Sequence, residues 1–181
     1  AMSLYPNNLE LFCLSVLPGT DLHDSASSLG LVWNEKPPYH VVRTDKFSAE
    51  DISRCASLSD ACEFFYNQGR AVPWFNSVLH PLHMKASAFF ADFTAWRASL
   101  KESAADDAHA CMNHEAVEKI QIEFIRMKYG EKHLSKLVNA AEDIIRLNGA
   151  LSRTQSDGVT QRVRLHYHAD DVMSEYASDI G

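Results

Sequence analysis

The sequence lacks most features that identify a function by themselves. Its 181 residues include only seven Gly and six Pro, which disfavours disordered and low-complexity segments. It has no apolar run near the roughly 18 residues of a membrane helix, and no secretory leader at its start, so we expect neither a membrane nor a secreted protein. Because 17 Lys and Arg face 24 Asp and Glu without a basic tract, we expect no nucleic-acid or membrane partner.

Common catalytic motifs are missing as well. The sequence has no G-x-S-x-G, P-loop, G-x-G-x-x-G or H-E-x-x-H motif, so nothing supports a common hydrolase, nucleotide-binding protein or zincin. Its cysteines form no C-x-x-C pair and lie mostly among apolar neighbours, which favours buried reduced thiols and a cytoplasmic protein. They are Cys13, Cys55, Cys62 and Cys111. For Cys111, packing is favoured over nucleophilic chemistry because no oxyanion-forming Gly loop is recognisable.

The chain does contain clear helical periodicity. Apolar residues recur every three or four positions after Ser48, most regularly in a long helix predicted to begin at Pro81. That helix carries an aromatic stripe that is expected to lie against a partner surface: Leu82, Ala86, Phe89, Phe93, Trp96 and Leu100. For the aromatic residues of this region, core or interface packing is favoured over base stacking: Trp74, Phe75, Phe89, Phe90, Phe93 and Trp96. Two further helices are predicted, ending at Gly130 and Gly149 and joined as a hairpin or a sharp bend. The sequence predicts a mainly α fold with one or two short peripheral strands.

Three segments have strand character. Residues 9–17 are almost continuously apolar and end at Pro18-Gly19, which is typical of a strand buried on both faces of a parallel sheet. Residues 39–44 are β-prone, and residues 163–168 alternate like a half-exposed strand. Because no parallel neighbour for the first segment is evident, part of a sheet is expected to be missing.

Polar residues mark the predicted starts of helices. Thr20 is placed to cap a short helix that ends at Gly30. Ser48 and Asp51 form a variant of the capping box at the start of the helical region. The polar, Ala-rich residues 101–113 are the best candidate for a boundary or an exposed connection.

An ordered set of short motifs resembles the late-barrel region of radical SAM enzymes. In chain order the late-barrel motifs are Leu14-Ser15-Val16-Leu17-Pro18-Gly19-Thr20-Asp21-Leu22, Leu29-Gly30-Leu31, and Pro37-Pro38-Tyr39 with Val42-Arg43-Thr44. Phe64-Phe65-Tyr66-Asn67 resembles a motif in the first helix of the C-terminal extension of such enzymes. The chain looks most similar to the bacterial subgroup with an N-terminal cobalamin-binding domain and a C-terminal extension of uncharacterised function. The resemblance implies that residues 1–45 are the remnant of a truncated (β/α) barrel and residues 46–181 a helical extension.

The chain departs from that family because it has no C-x-x-x-C-x-x-C loop. Those thiolates hold a 4Fe-4S cluster that binds SAM, and here the shortest cysteine interval runs from Cys55 to Cys62. We therefore expect no cofactor in this chain. The resemblance implies the cluster and SAM, with cobalamin as an option, in an intact parent enzyme. Because the cluster motif is missing and the first predicted strand has no neighbours, we expect the chain to be a C-terminal piece of that parent, cut within the barrel, and inactive alone. Ala1 before Met2 agrees with a start inside a longer chain.

The resemblance also implies a site at the end of the first predicted strand. Its residues would lie at the carboxyl end of a barrel strand, where they would flank the adenine side of SAM. They are Val16, Leu17, Pro18, Gly19 and Thr20. The simpler interpretation, favoured for this truncated chain, is that Pro18-Gly19 turns the chain and Thr20 caps the helix.

Histidines suggest a second, weaker site. His80 and His83 lie close together near a helix start, and His166 and His168 would share one face of a strand. With Asp170 or Asp171 they could form a partial zinc site if the C-terminal strand folds back. Exposed polar positions are the favoured interpretation.

The leading functional hypothesis is an accessory region of a radical SAM enzyme that caps the barrel or shapes access of substrate or partner. Its expected partners are the upstream domains of the same polypeptide. The alternative is a free-standing helical module whose aromatic stripe binds another protein or a second copy, forming a homo-oligomer. A small metal-dependent enzyme is the third option.

Overall fold

The computed structural model describes residues 1–103 and 113–173. These residues are mainly α-helical with a single two-stranded antiparallel sheet, so the predicted fold class is confirmed. The chain divides into two compact units, a small unit of residues 10–60 and a helical unit of residues 1–9 and 61–181. The predicted division after residue 45 refers to a parent barrel and stays a prediction. None of the described helices is long and apolar enough to cross a membrane.

The small unit begins with a capped helix. Helix α1 (Asp21–Ser25) starts after Thr20, whose Oγ1 accepts the His23 N–H at 3.2 Å. The predicted cap is therefore confirmed, although regular helix ends before the turn at Gly30. Two acidic residues in the first turn, Asp21 and Asp24, oppose the helix dipole.

A short sheet follows α1. Strand β1 (Val32–Trp33) pairs antiparallel with β2 (Val41–Arg43), which lies inside the predicted β-prone segment. The core of the small unit is little more than three buried residues with three half-buried neighbours. They are Val16, Ala26 and Val41, with Leu22, Leu31 and Trp33 packed against them.

The prediction of a fully buried strand over residues 9–17 is wrong. Only Ser15 forms a β-bridge, to His40, and only Val16 of this run is buried. An apolar run indicates a segment that gains free energy from burial. A strand is fully buried in a parallel sheet only when neighbouring strands lie on both sides of it. The described residues place a neighbouring segment on one side of it.

Helix α2 (Ala49–Cys62) starts at the predicted capping box. The Asp51 N–H donates to Ser48 Oγ at 3.1 Å, and the Ser48 N–H donates to Asp51 Oδ2 at 3.0 Å. The helix continues into a wide π-helical turn over Glu63–Gln68, and Gly69 ends it as predicted.

Five more helices complete the helical unit in the described part of the chain. They are α3 (Phe75–Leu79), α4 (Ala86–Ser103), α5 (His114–Glu131), α6 (Val138–Asp157) and α7 (Ala169–Met173). The long helix does not begin at Pro81, because His83 has a left-handed φ of 49° and interrupts it. Residues 163–168 are not a strand in the described structure. Parts of the predicted 101–113 connection and of the last turn, and all of Cys111, lie outside the described residues.

The core of the helical unit is aromatic. The Phe65 ring lies with its centroid 5.0 to 6.3 Å from six others: Trp74, Phe75, Phe89, Phe90, Phe93 and Phe124. Phe89 and Phe93 of the aromatic stripe are thus core residues of this chain, as the favoured interpretation predicted.

Helices α5 and α6 form an antiparallel hairpin. Glu118 near the start of α5 pairs with Arg153 near the end of α6 at 2.6 Å. Contrary to prediction, α6 runs through Gly149 to a left-handed cap at Gly158. Close packing explains the glycine inside the helix, because a Cβ at Gly149 would overlap the Glu118 carboxylate and lie 3.2 Å from Arg153 Nη1.

Candidate functional site

The predicted turn at the end of the apolar run is present. The Thr20 N–H donates to Leu17 O at 3.3 Å, and Gly19 has a φ of 82°, the left-handed value of the third position in a type II turn. The Thr20 hydroxyl donates to Leu17 O at 2.7 Å and also caps α1. The turn therefore explains the glycine at position 19, and the cap of α1 explains Thr20. A role beside SAM stays a prediction for Val16–Thr20.

Residues 14–16, just before this turn, pair with a neighbouring segment on one side and so form an edge. Val16 N–H donates to Tyr39 O at 2.9 Å, and Val41 N–H donates to Leu14 O at 2.8 Å. In such a bridge the N–H and C=O of Ser15 point away from its partner strand. No other backbone group of the described residues pairs with them.

Side chains around this edge are exposed and apolar. The Phe12 side chain is 84% exposed, and three leucines are about half exposed: Leu11, Leu14 and Leu17. We call residues 11–17 the apolar edge. An edge that combines open backbone groups with exposed apolar side chains is a surface that gains free energy when another segment covers it.

The candidate metal ligands lie in two places in the helical unit. The His80 and His83 rings are 6.0 Å apart between centroids. His166 binds Asp143, and the Asp170 N–H donates to His168 Nδ1 at 3.3 Å. The described residues contain no group of three or more His, Cys, Asp or Glu side chains that could hold a metal ion. The metal hypothesis stays a prediction that elemental analysis of the purified protein can test.

Asp143 is a fully buried carboxylate on α6. It accepts three hydrogen bonds: Oδ2 from the N–H groups of His166 and Tyr167 at 2.7 and 2.9 Å, and Oδ1 from His166 Nδ1 at 2.9 Å. Three donors satisfy a carboxylate that would otherwise be costly to bury. These bonds fix the orientation of the His166 imidazole. Its Nδ1 atom is bound to Asp143, and its Nε2 atom makes no bond to that carboxylate.

A second polar cluster surrounds the buried Arg153 side chain. Its Nη1 donates to Glu118 at 2.6 Å and to His114 Nδ1 at 2.9 Å. Because a guanidinium only donates, His114 Nδ1 accepts, and His114 Nε2 therefore carries the proton it shares with Gly69 O at 3.3 Å. The imidazole is thus neutral. Burial, reinforced by Arg70 and Arg153, lowers the pKa of His114 below its usual value.

The Arg153 cluster also fixes the chain after α6. Arg153 Nε donates to Gln161 Oε1 at 3.0 Å, and Gln161 Nε2 donates to Glu115. Burial raises the pKa of the Glu118 carboxyl, while its hydrogen bond from Arg153 opposes that shift. Together these contacts link the start of α5, the end of α6 and the segment that follows.

The Phe-Phe-Tyr-Asn motif lies in the π-helical turn. Phe65 is the centre of the aromatic core, and Phe64 stacks on Phe93 at its edge. Tyr66 and Asn67 instead bind the main chain of residues 6–9. The motif therefore acts in packing and in fixing the N-terminal segment.

Three of the cysteines belong to the described residues, where no group of three or more His, Cys, Asp or Glu side chains could hold a metal ion. Cys13 is half-buried, Cys55 is exposed and Cys62 is buried, and all three are free thiols. Burial raises the pKa of the Cys62 thiol to about 11. The expectation of no cofactor in this chain stays a prediction from the sequence motif.

Comparison with known proteins found one family model that matches part of the chain. A family model described as a protein of unknown function (DUF4080) matches residues 27–102, from the end of the α1 turn to the last residues of α4. The chain is similar to that family over this segment. No curated protein and no solved structure matches the chain.

Sequence reasoning missed the buried polar residues. Asp143 precedes the apolar Ile144 and Ile145 in the predicted stripe of α6, and Glu118 and Arg153 belong to different helices. An acidic residue inside an apolar stripe is a usable signal, since it needs a partner when it is buried. The partner itself is visible only in the folded hairpin.

Proposed function

We propose that this chain is the C-terminal accessory region of a radical SAM protein of the cobalamin-binding subgroup. In this proposal the small unit docks on the upstream barrel of the same polypeptide, and the chain caps that barrel or shapes access to it. The observation that carries the proposal is the apolar edge, which leaves Phe12 84% exposed and the Ser15 backbone groups directed away from their neighbour.

The size of the small-unit core supports a docked state. Only Val16, Ala26 and Val41 are buried at its centre. Each Å² of apolar surface removed from water contributes about 25 cal/mol. Covering Phe12 and the three leucines would therefore stabilise the docked state of the small unit. A strand at the barrel's open side supplies both an apolar face and backbone groups for the edge.

The sequence pattern supports the identity of the neighbour. Four motifs between residues 14 and 67 follow the order of the late barrel and the start of the extension in that subgroup. The matched family segment, residues 27–102, overlaps three of them and crosses the predicted boundary after residue 45. This match supports the interpretation that residues 27–102 are one continuous segment of the parent protein. Because the family is described as one of unknown function, the match gives no information about the reaction of the parent.

The proposal gives this chain no catalytic centre. The 4Fe-4S cluster, SAM and any cobalamin would be held by upstream domains. Val16–Thr20 would border the SAM site only through the position of their turn. The free thiols Cys13, Cys55 and Cys62 suit a reducing compartment, so we place the protein in the cytoplasm.

The first test is to read the coding sequence upstream of Met2. We expect a C-x-x-x-C-x-x-C motif in the same reading frame. Its absence contradicts the radical SAM proposal and favours the free-standing interaction module.

A second test measures docking directly by hydrogen exchange on the full polypeptide and on residues 1–181 alone. We expect the amides of residues 11–17 to exchange at least tenfold more slowly in the full polypeptide. Amides of the exposed residues 158–160 serve as the internal control and should exchange equally in both. Equal exchange of the apolar edge in both proteins contradicts docking even if the cluster motif is found.

A further inference from the structure

One cation of the helical unit contacts aromatic rings instead of an anion. The Arg97 side chain of α4 is half-buried, and its guanidinium carbon lies over the Phe64 ring, 3.9 Å from the ring centroid. The Phe93 centroid is 5.8 Å from the same carbon. An aromatic face attracts a cation but carries no lone pair, so the five N–H donors of the guanidinium find no oxygen acceptor in these contacts.

Arg97 differs in this respect from the other shielded cations in the described part of the chain. Every other Arg or Lys that is buried or half-buried there is paired with a carboxylate within 3.2 Å. The pairs are Arg70 with Asp157, Lys128 with Asp92 and Glu131, Arg146 with Glu142, and Arg153 with Glu118. Among the residues that the structure describes, none forms an ion pair or a hydrogen bond with the Arg97 guanidinium.

Two acidic side chains near this cation in the sequence are bound to other groups. Glu63, which precedes Phe64, accepts from Asn67 Nδ2 at 2.6 Å and from Gln68 Nε2 at 3.3 Å. Asp92 of α4 accepts from Lys128 Nζ at 2.7 Å. Partial burial lowers the pKa of Arg97 below its usual value, because burial disfavours the charged form. A bound carboxylate would return to the guanidinium the acceptors that burial takes away.

Apolar side chains flank the guanidinium. Trp96 is half-buried, and Leu100, which lies one helical turn beyond Trp96 and Arg97, is 44% exposed. We call Phe64, Trp96, Arg97 and Leu100 the Arg97 surface. Aromatic residues and Arg are the residue types enriched at the centres of protein–protein interfaces.

We propose that the Arg97 surface binds a protein segment that presents one Asp or Glu carboxylate beside an apolar side chain. The carboxylate would accept two N–H donors of the guanidinium, and the apolar side chain would cover Leu100. The apolar flank and the net charge of -7 favour a protein carboxylate over a nucleic acid or another polyphosphate. All four residues lie outside the apolar edge, and the inference does not rest on the radical SAM proposal.

Peptide binding to residues 1–181 tests the proposal. The probes are acetyl-Leu-Asp-Leu-amide and acetyl-Leu-Asn-Leu-amide, which differ in one charge and are compared at constant ionic strength. The Nε–H resonance of Arg97 in the ¹⁵N-labelled chain, assigned from the spectrum of Arg97→Gln, reports binding at the guanidinium. We expect the dissociation constant to be lower by about fivefold or more for the Asp peptide. Equal dissociation constants, or no shift with either peptide, overturn the proposal.

A matched pair of variants locates the contact. Arg97→Gln should abolish the preference for the Asp peptide, measured on the amide resonances of α4. Arg54→Gln removes the same charge from a side chain that is 71% exposed, and it should leave the preference unchanged. A preference that survives Arg97→Gln, or one that Arg54→Gln also removes, overturns the proposal.

Two further measurements keep the outcome decisive. Arg97→Lys keeps the charge without the planar fork of donors, and it should weaken binding of the Asp peptide by about threefold or more. If the Arg97→Gln chain does not fold, full affinity in the Arg97→Lys chain overturns the proposal. Inorganic phosphate is the third probe, and a dissociation constant lower for phosphate than for the Asp peptide contradicts the assignment to a protein carboxylate.

Discussion

The side chain of Asn67 pairs with the main chain of Leu9 as a neighbouring strand would. Its Nδ2 donates to Leu9 O at 3.1 Å, and its Oδ1 accepts the Leu9 N–H at 3.0 Å. One carboxamide therefore satisfies both backbone groups of a residue far away in the sequence. Next to it, the Tyr66 hydroxyl donates to Pro6 O at 2.7 Å, so the π-helical turn fixes the N-terminal segment at two points.

Replacement of Asn67 is expected to destabilise the helical unit. Asn67→Ala removes both hydrogen bonds to Leu9 and should lower the free energy of unfolding by about 2 kcal/mol. Gln68→Ala, an exposed neighbour in the same turn, should change it by less than about 0.5 kcal/mol. Urea unfolding of the two variants measures the difference, and equal effects would show that the pairing contributes nothing specific.

Two glycines in the hairpin predict opposite responses to alanine. Gly149→Ala forces Glu118 away from buried Arg153 and should destabilise the chain by about 1 to 3 kcal/mol. At Gly130 a Cβ meets nothing within 4 Å, so Gly130→Ala should stabilise α5 by about 0.5 kcal/mol. Thermal unfolding gives both signs, and a Gly149→Ala chain as stable as the original contradicts the close packing described for α6.

The stability of the helical unit should depend on pH through His114. Its lowered pKa means that the unfolded chain binds a proton that the folded chain excludes, so the free energy of unfolding falls as the pH drops below about 6.5. His114→Gln can accept from Arg153 and donate to Gly69 O without titrating, and it should remove this part of the pH dependence. Denaturation between about pH 7.5 and 5.5 measures it.

The control for His114 is a histidine outside the core. His168 has a side chain that is 73% exposed, and His168→Gln should retain the loss of stability on acidification. If both variants lose stability in parallel with the unchanged chain, the neutral His114 is not the cause.

Two neighbours in the small unit should differ sharply. Val16→Ala removes a fully buried side chain from a very small core and should cost about 2 kcal/mol in that unit. Phe12→Ser should change stability by less than about 0.5 kcal/mol, since the ring is exposed in this chain. Hydrogen exchange of the β1 and β2 amides follows this unit separately. A destabilising Phe12→Ser would mean that the apolar edge is already covered.

Signals between neighbours in the sequence predicted local structure well. The Thr20 cap and the Ser48 capping box are present as predicted, because each involves atoms only three residues apart. The period of the stripe also predicted the buried positions near the start of α4, although Leu100 at its other end is 44% exposed. The aromatic core then buries Phe89 and Phe93 within this chain.

Signals that depend on a distant partner failed. Gly149 resembles a helix end in sequence, yet α6 passes through it, and the glycine leaves room for Glu118 of another helix. Residues 163–168 alternate like a strand, but they form none, and the N–H groups of His166 and Tyr167 meet the Asp143 carboxylate. In both cases a residue of another element, which the local pattern does not contain, takes part in the structure.

The sequence by itself determined the helical class, the caps, the aromatic stripe and the absence of a cluster motif, since these depend on residue types and on spacings of a few residues. Only the tertiary structure decided that Asp143 anchors His166 and Tyr167, that Arg153 joins α5 to the segment after α6, and that the apolar edge has one neighbour. A buried charge needs its partner at hydrogen-bond distance. That distance is set by the packing of α5, α6 and the segment that follows α6, which no local spacing contains.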